Sequence, residues 1–436
     1  MKTFLIRAED KNIWERRAPI VPDDLKEILT ATNTTAFIQK SKKRFFREQE
    51  YVAAGAQLCE NMTHGDIIVG IKEIPEYKLI DNKTYIFFSH TIKGQVGNMP
   101  MLKKIITGGS TLIDYEKIID DQNRRLVFFG RYAGDAGAID ILWLMGEYWQ
   151  HKGINTPFSQ AKQANFYHSI NEAQTYLKEI GEVIKKQGLP EEISPLVIGV
   201  LGYGNVSTGA QQIFNCLPVE KIEPENLQKL VEGGAGDPHK VYLSVFKEEH
   251  LVKHKSCDVF DLQDYYQHPE KYSSQFHQYL PYITILVNAI YWESRYPRFV
   301  TWDSLRKLNQ GGKKTKLCGI ADITCDVNGS IECNIKATDS GRPAYLCDPE
   351  TQSITDGHKG EGIVLLAVDN LPAELPHDSS IFFSNQLKKI FPNILSANFD
   401  KPLEESGLSP EIQQGVIVYN GELTPSYRYL NQYILE

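Results

Sequence analysis

The chain has 436 residues, of which 42% are hydrophobic and 23% charged, an ordinary globular usage that excludes a disordered or collagen-like polymer. Its length predicts two domains. Lys and Arg total 47 against 55 Asp and Glu, a formal charge of -8 that excludes a nucleic-acid scaffold and a polybasic membrane binder, so any bound anion needs a local basic cluster.

No apolar run approaches the roughly 18 residues that span a bilayer. The opening MKTFLIRAED lacks the apolar core of a secretory signal, so the expectation is a cytoplasmic protein with no membrane contact. The seven cysteines (Cys59, Cys216, Cys257, Cys318, Cys325, Cys333, Cys347) form no CxxC pair. They are read as reduced, with no metal site; redox pairing within Cys318 to Cys347 is the alternative.

In chain order, Thr3 to Ile6 reads as a strand, Pro22 to Thr30 as a helix with Asp in its first turn, and Thr35 to Gln39 and Asp66 to Gly70 as further strands. This alternation predicts a parallel α/β sheet. Gly134 to Tyr148 has helical apolar spacing. Asn171 to Gly188 is an amphipathic helix with Leu177, Ile180 and Val183 on one face.

LVIGVLGYGNVSTGAQQIF is an apolar strand running into a glycine turn and then a helix, the context in which such a turn points to a dinucleotide. Gly202 allows the tight turn, Gly204 lets backbone approach a pyrophosphate, and Ser207 stands at the third small position. Tyr203, Asn205 and Val206 complete the turn. Glu223, in VEKIEPE, is the candidate acid for ribose hydroxyls. Strand ends at Asn288, with Tyr291 beyond it, and at Asp322 and Asp326 are candidates for the nicotinamide side. A phosphate-free turn, and turn capping by either aspartate, are the alternatives.

Four cations stand at strand ends or turns: Arg17 in WERRAPIVP, Lys72 ending DIIVGIK, and His90 and Lys93 in FFSHTIKGQ. A lysine at an apolar strand end suits proton transfer and His90 is a natural partner, whereas a snorkelling lysine and a turn histidine are the bland readings of each alone. Beside a nicotinamide cofactor, the set describes a dehydrogenase for carboxylate-bearing substrates.

ERRAPIVP, VGIKEIPEYK, FFSHTIKGQ, LIDYEK, FGRYAGDAGAIDIL, GYGNVSTGAQQIF, VNAIYWESRYPRFVT, GIADITCDVNGSIE and VDNLPAELP follow one another along the whole chain. In this order they resemble the lysine-ketoglutarate reductase domain, the N-terminal half of bifunctional aminoadipate semialdehyde synthase. Lysine-forming saccharopine dehydrogenase and alanine dehydrogenase are more distant likenesses. The resemblance implies two Rossmann-like α/β domains, a discontinuous substrate domain of 1–135 and 368–436 holding a dinucleotide domain of 136–367. It implies that Lys72 and His90 are the acid/base pair and that Lys11, Arg17, Lys93, Glu73, Glu116, Arg125, Phe129 and Asp369 bind or tune the substrate.

The implied reaction condenses L-lysine with 2-oxoglutarate to saccharopine. NADP is the implied cofactor, although Glu223 by itself favours NAD. A linked or separate saccharopine dehydrogenase, and homo-oligomers, are compatible partners. The alternative enzyme is the NAD-dependent, lysine-forming dehydrogenase. Of a different class is a catalytically silent module sensing a nucleotide or amino acid; the intact Lys72, His90 and Arg17 argue against it.

Overall fold

The structure, a computed structural model, describes residues 2–310 and 315–434. Two compact units divide the chain: Met1–Phe129 together with Pro376–Glu436, and Gly130–Leu375.

The chain begins with β1 (Thr3–Ile6), β2 (Thr35–Gln39), β3 (Gln57–Cys59), β4 (Ile67–Val69), β5 (Thr84–Phe87) and β6 (Thr111–Asp114). These lie in the order β3-β2-β1-β4-β5-β6, all parallel. β4, β5 and β6 are buried along their whole length, as expected of parallel strands covered on both faces. The helix Pro22–Ala31 starts at a proline whose missing N–H is one of the orphans of a first turn, and Asp23 and Asp24 complement the helix dipole there.

The second unit contains β7 (Leu196–Leu201), β8 (Val219–Lys221), β9 (Val241–Phe246), a small pair β10 (Val252–His254) and β11 (Tyr272–Ser274), then β12 (Ile285–Asn288), β13 (Gly319–Asp322), β14 (Ala344–Asp348), β15 (Ser353–Asp356) and β16 (Ile363–Leu366). Its large sheet runs β8-β9-β7-β12-β13-β16, all parallel, with β14 and β15 added antiparallel beyond β16. The helix Tyr132–His151 is apolar nearly all round and mostly buried. It lies so close to the helix Asn205–Phe214 that a Cβ on Gly134 would fall 1.8 Å from the Val206 carbonyl oxygen. The helix Ile170–Gln187 opens at Ser169, whose hydroxyl accepts the Glu172 N–H (3.3 Å), and closes at Gly188 with φ +75°.

The chain then returns to the first unit. The helix Pro376–Ser396 packs Phe383, Leu387 and Phe391 into the core around β1 and β4, and its Ser380 and Ser384 hydroxyls accept the N–H groups of Ala18 (2.9 Å) and Val21 (3.0 Å). β17 (Val416–Tyr419) pairs antiparallel with β6, and β18 (Glu422–Leu423) closes that edge. Both sheets are α/β and doubly wound, as the strand–helix alternation predicted.

Candidate active site

Because β1, β4, β5 and β6 are parallel neighbours, their carboxyl ends share one edge of the first sheet. The strand order reverses at β1, which makes the β1/β4 end a topological switch point, the usual ligand position in such sheets. Lys72 follows β4, His90 follows β5 and Glu116 follows β6.

At this edge Glu73 joins Lys11 and His90. Its Oε1 takes a hydrogen bond from Lys11 Nζ, and its Oε2 lies 3.1 Å from His90 Nδ1. Burial works against the Glu73 carboxylate, but the bonds from His90 and Lys11 outweigh it and hold the pKa down at about 2. An ionised carboxylate on Nδ1 places the imidazole proton there and turns Nε2 to proton exchange. His90 has φ +49°, and its loop is held on both sides: Asn98 Nδ2 donates to its carbonyl (3.0 Å), and the Ser89 N–H donates to buried Asp114 (3.0 Å).

Lys72 is half-buried beside this chain. Its backbone is fixed by residues at the end of β1: Glu9 accepts the N–H groups of Ile71 and Lys72, while Arg7 Nη1 donates to the Lys72 carbonyl (3.3 Å) and to Glu9 (3.2 Å). Both Arg7 and Glu9 are buried.

Arg17, expected to meet a substrate carboxylate, meets one inside the chain. Its Nε and Nη2 donate to the two oxygens of Glu15 at 2.7 and 2.6 Å, both side chains being buried. The guanidinium also lies 4.0 Å from the centre of the Phe129 ring. Phe129 stacks on Phe383 and touches Phe88, which stacks in turn on His90. Arg17 and Phe129 are thus tied to His90 through aromatic rings. Arg125 pairs with Glu116 while Lys93 is exposed just beyond His90. Among the sequence candidates the first unit holds Lys11, Arg17, Lys72, Glu73, His90, Lys93, Glu116, Arg125 and Phe129. Asp369 belongs to the other unit, exposed after β16.

In the second unit the glycine turn joins β7 to the helix Asn205–Phe214. Gly202 has φ +90°, and a Cβ there would lie 3.1 Å from the Ala289 carbonyl oxygen, so the position requires glycine. A Cβ on Gly204 would meet nothing within 4 Å, leaving open space in front of the N–H groups that start the helix. Ser207 is buried, its hydroxyl accepting from Gln211 Nε2 (3.0 Å). An exposed Tyr203 and Asn205 flank the open side. These features fit a dinucleotide pyrophosphate.

The other cofactor candidates separate. Asn288 and Asp322 are buried, not open to a ligand: Asn288 Nδ2 donates to Asp322 and to Ser330 (both 2.8 Å), and Asn334 donates to the other Asp322 oxygen (2.8 Å). Burial raises the Asp322 carboxyl above its usual range. Their network locks the ends of β12 and β13. Tyr291 and Asp326 are exposed. Glu223 follows β8, which is the sheet edge; β9 separates it from β7.

Sequence reasoning missed Arg7, Glu9 and Glu15. A signal existed for most of them. Arg7 and Glu9 follow the apolar strand β1 as directly as Lys72 follows β4.

Residues 5–136 match the family described as alanine dehydrogenase/PNT, N-terminal domain. The chain is 38% identical to the mitochondrial alpha-aminoadipic semialdehyde synthase of Mus musculus over 98% of its own length and 47% of that protein. It therefore spans about half the length of this curated relative. Against the saccharopine dehydrogenase [NAD(+), L-lysine-forming] of Neurospora crassa it is 24% identical, covering 90% of each chain. The solved structure of an L-alanine dehydrogenase shares the fold over 99% of both chains, with a TM-score of 0.62 at 16% identity. No helix among the described residues is long and apolar enough to cross a membrane. Residues 5–136 thus carry the likeness to the alanine dehydrogenase/PNT N-terminal domain, and nearly the whole chain is similar to one half of the aminoadipic semialdehyde synthases and, more distantly, to the lysine-forming saccharopine dehydrogenases.

Proposed function

We propose that the chain condenses the ε-amine of L-lysine with the ketone of 2-oxoglutarate and reduces the resulting imine to saccharopine. The observation that carries this reading is the Lys11–Glu73–His90 chain beside Lys72 at one edge of the first sheet. The attacking amine must lose a proton and the carbinolamine oxygen must gain one to leave as water. His90, through Nε2, and Lys72 are the two groups that move these protons. Lys93 and Arg125 are the exposed cations for the two carboxylates of 2-oxoglutarate, and Arg17 holds the Phe129 ring. A nicotinamide dinucleotide, held on the glycine turn of the second unit, supplies the hydride when bound.

The assay follows the loss of reduced nicotinamide absorbance with lysine and 2-oxoglutarate, using NADH and NADPH in parallel. Turnover that requires both lysine and the keto acid supports the proposal. A folded chain that oxidises neither dinucleotide overturns it and favours the sensing module. The stronger likeness to the synthase than to the lysine-forming enzyme favours the saccharopine-forming direction. A saccharopine-consuming dehydrogenase, on the same polypeptide or a separate one, is the partner this reading calls for.

A further inference from the structure

His90 and Lys93 share one short loop after β5, and different elements tie down its two ends. The His90 end is held by Asn98, whose Nδ2 donates to the His90 carbonyl (3.0 Å), by the Ser89 N–H bond to Asp114 (3.0 Å), and by Glu73 at the imidazole. The backbone turns left-handed at His90 (φ +49°) and again at Gly94 (φ +67°). Such a conformation costs energy for a residue with a Cβ, and at His90 it persists because its neighbours enforce it.

The Lys93 end is held from a distant part of the chain. The short helices Pro425–Leu430 and Asn431–Ile434 follow β18 in the same unit. Buried Tyr427 and Leu430 anchor them, the Tyr427 hydroxyl donating to the Gln414 carbonyl (2.7 Å). Two partly exposed tyrosines then meet the loop. The Tyr429 hydroxyl donates to the Ile92 carbonyl at 2.6 Å, and the Tyr433 ring lies so close to Gly94 that a Cβ there would fall 2.7 Å from it. Ile92 packs on the apolar cluster that contains Tyr427 and Leu430. These contacts flank Lys93 on both sides along the chain. Resting on the reading in which Lys93 takes a carboxylate of 2-oxoglutarate, we propose that Tyr429 and Tyr433 are positioning residues for Lys93, fixing the carboxylate-binding part of the loop independently of His90.

The reason lies in the lysine side chain. A flexible four-carbon stem separates its ammonium from the backbone, so the charge is confined to one region only if the backbone that carries it is fixed. Lys93 is exposed, and its backbone N–H is taken by Gln95 Oε1 (3.0 Å), a contact within the loop that shapes the turn without placing it on the domain. The Tyr429 bond joins residues 337 apart in sequence and supplies that placement. A neutral hydrogen bond of this kind is worth a factor of about three to ten in an equilibrium. A merely structural tyrosine would affect folding and turnover together, whereas one that places Lys93 acts on the binding of the keto acid.

The test is steady-state kinetics of the full chain with Tyr429→Phe, Lys93→Met and the double variant, each substrate being varied in turn. Tyr429→Phe removes one hydroxyl and should raise KM for 2-oxoglutarate about three- to tenfold, while kcat and KM for lysine stay within about twofold. Because the tyrosine acts through the lysine, the double variant should be no worse than Lys93→Met alone. Tyr433→Ala, an independent route to the same loop, should shift the same KM. Amide exchange of residues 91–95 should quicken in both tyrosine variants and stay unchanged at Ser89 and His90. Additive losses in the double variant, or a fall in kcat as large as the rise in KM, overturn the inference alone. A wild-type chain with no turnover of lysine and 2-oxoglutarate overturns the functional reading, and this inference with it.

Discussion

Glu9 fixes Lys72 in place: one buried carboxylate, at the end of β1, accepts the backbone N–H of Ile71 at 2.7 Å and of Lys72 at 3.1 Å. Arg7 completes the clamp by donating to both the Glu9 carboxylate and the Lys72 carbonyl. Burial and nearby Glu15 push the Glu9 carboxyl up while Arg7 and the two N–H groups pull it down, so the clamp depends on the whole set. The sheet order makes it possible, since β1 and β4 are hydrogen-bonded neighbours.

Glu9→Gln retains shape but loses the charge opposite Arg7, and an amide cannot accept on both of its heads. Loss of a charge-assisted hydrogen bond costs about 1.5–3 kcal/mol, and buried Arg7 is left with Asp10 as its ionic partner. The expected outcome is a lower Tm together with a fall in kcat, dinucleotide affinity being unchanged because the glycine turn belongs to the other unit. Thermal unfolding, steady-state kinetics and NADH or NADPH titration read the three separately.

Lys72→Met combined with His90→Gln removes both proton-transfer groups and should lower kcat by about two to four orders of magnitude while leaving dinucleotide binding intact. Retained full turnover would refute the assignment. Glu73→Gln acts more subtly, because it takes away the anion that orders His90 Nδ1 and Lys11 Nζ. The folded pKa of Glu73, about 2, lies below its ordinary 4.5, so this group stabilises the fold fully above about pH 4.5 and loses that contribution as pH falls toward 2. Glu73→Gln should therefore flatten the acid limb of a Tm against pH curve.

Gly204→Ala and Gly134→Ala separate binding from folding. At Gly204 the backbone has φ -77° and a Cβ meets open space, so the variant should fold normally and lose dinucleotide affinity as the methyl enters the pyrophosphate cradle. At Gly134 the added Cβ would collide with the Val206 carbonyl, and overpacking of this kind costs about 1–3 kcal/mol or more. Chemical denaturation should show the loss in Gly134→Ala only.

Asp140 and Glu374, both buried in the second unit, form a carboxyl pair. The Ala164 N–H donates to Asp140 Oδ1 (2.7 Å) and Gln163 Nε2 donates to Glu374 (3.3 Å), while Asp140 Oδ2 is buried with no hydrogen-bond partner, so a proton shared with Glu374 is its expected complement. Burial raises both groups; Glu374 raises Asp140 further, while the bond to Asp140 works against the rise at Glu374. Groups with raised folded pKa values stabilise fully below their unfolded values, and that stability drains as pH rises through the folded values. Asp140→Asn supplies a permanent donor, so the variant should lose less stability than the wild type as pH rises above the ordinary carboxyl range. An unchanged pH dependence in denaturant melts would contradict the shared proton.

The α/β class, the strand Leu196–Leu201 with its glycine turn, and the strand-end positions of Lys72 and His90 were legible in the sequence because each is a local pattern: apolar runs of strand length, breakers between them, and a charge directly after the run. Glu73 was marked by the family resemblance and not by local pattern. What it did not supply was partnership. Arg17 read as an open cation because Glu15, two residues away, is an ordinary surface neighbour until folding buries both. Asn288 and Asp322 read as ligands because a polar residue ending an apolar strand looks the same whether it faces solvent or another strand end.

Strand order was decided only in three dimensions. Sequence lists β7, β8, β9, and an acid after the second of them is the natural ribose ligand; hydrogen bonding between backbones puts β9 next to β7 and moves β8 to the edge. The physical reason is that β7 is six residues of fully buried apolar chain that needs a full-length partner, which the six residues of β9 provide and the three of β8, mostly exposed, do not. The sequence alone therefore determined which kinds of chemistry the chain carries; the tertiary pairing of strands decided which of its charges stand together.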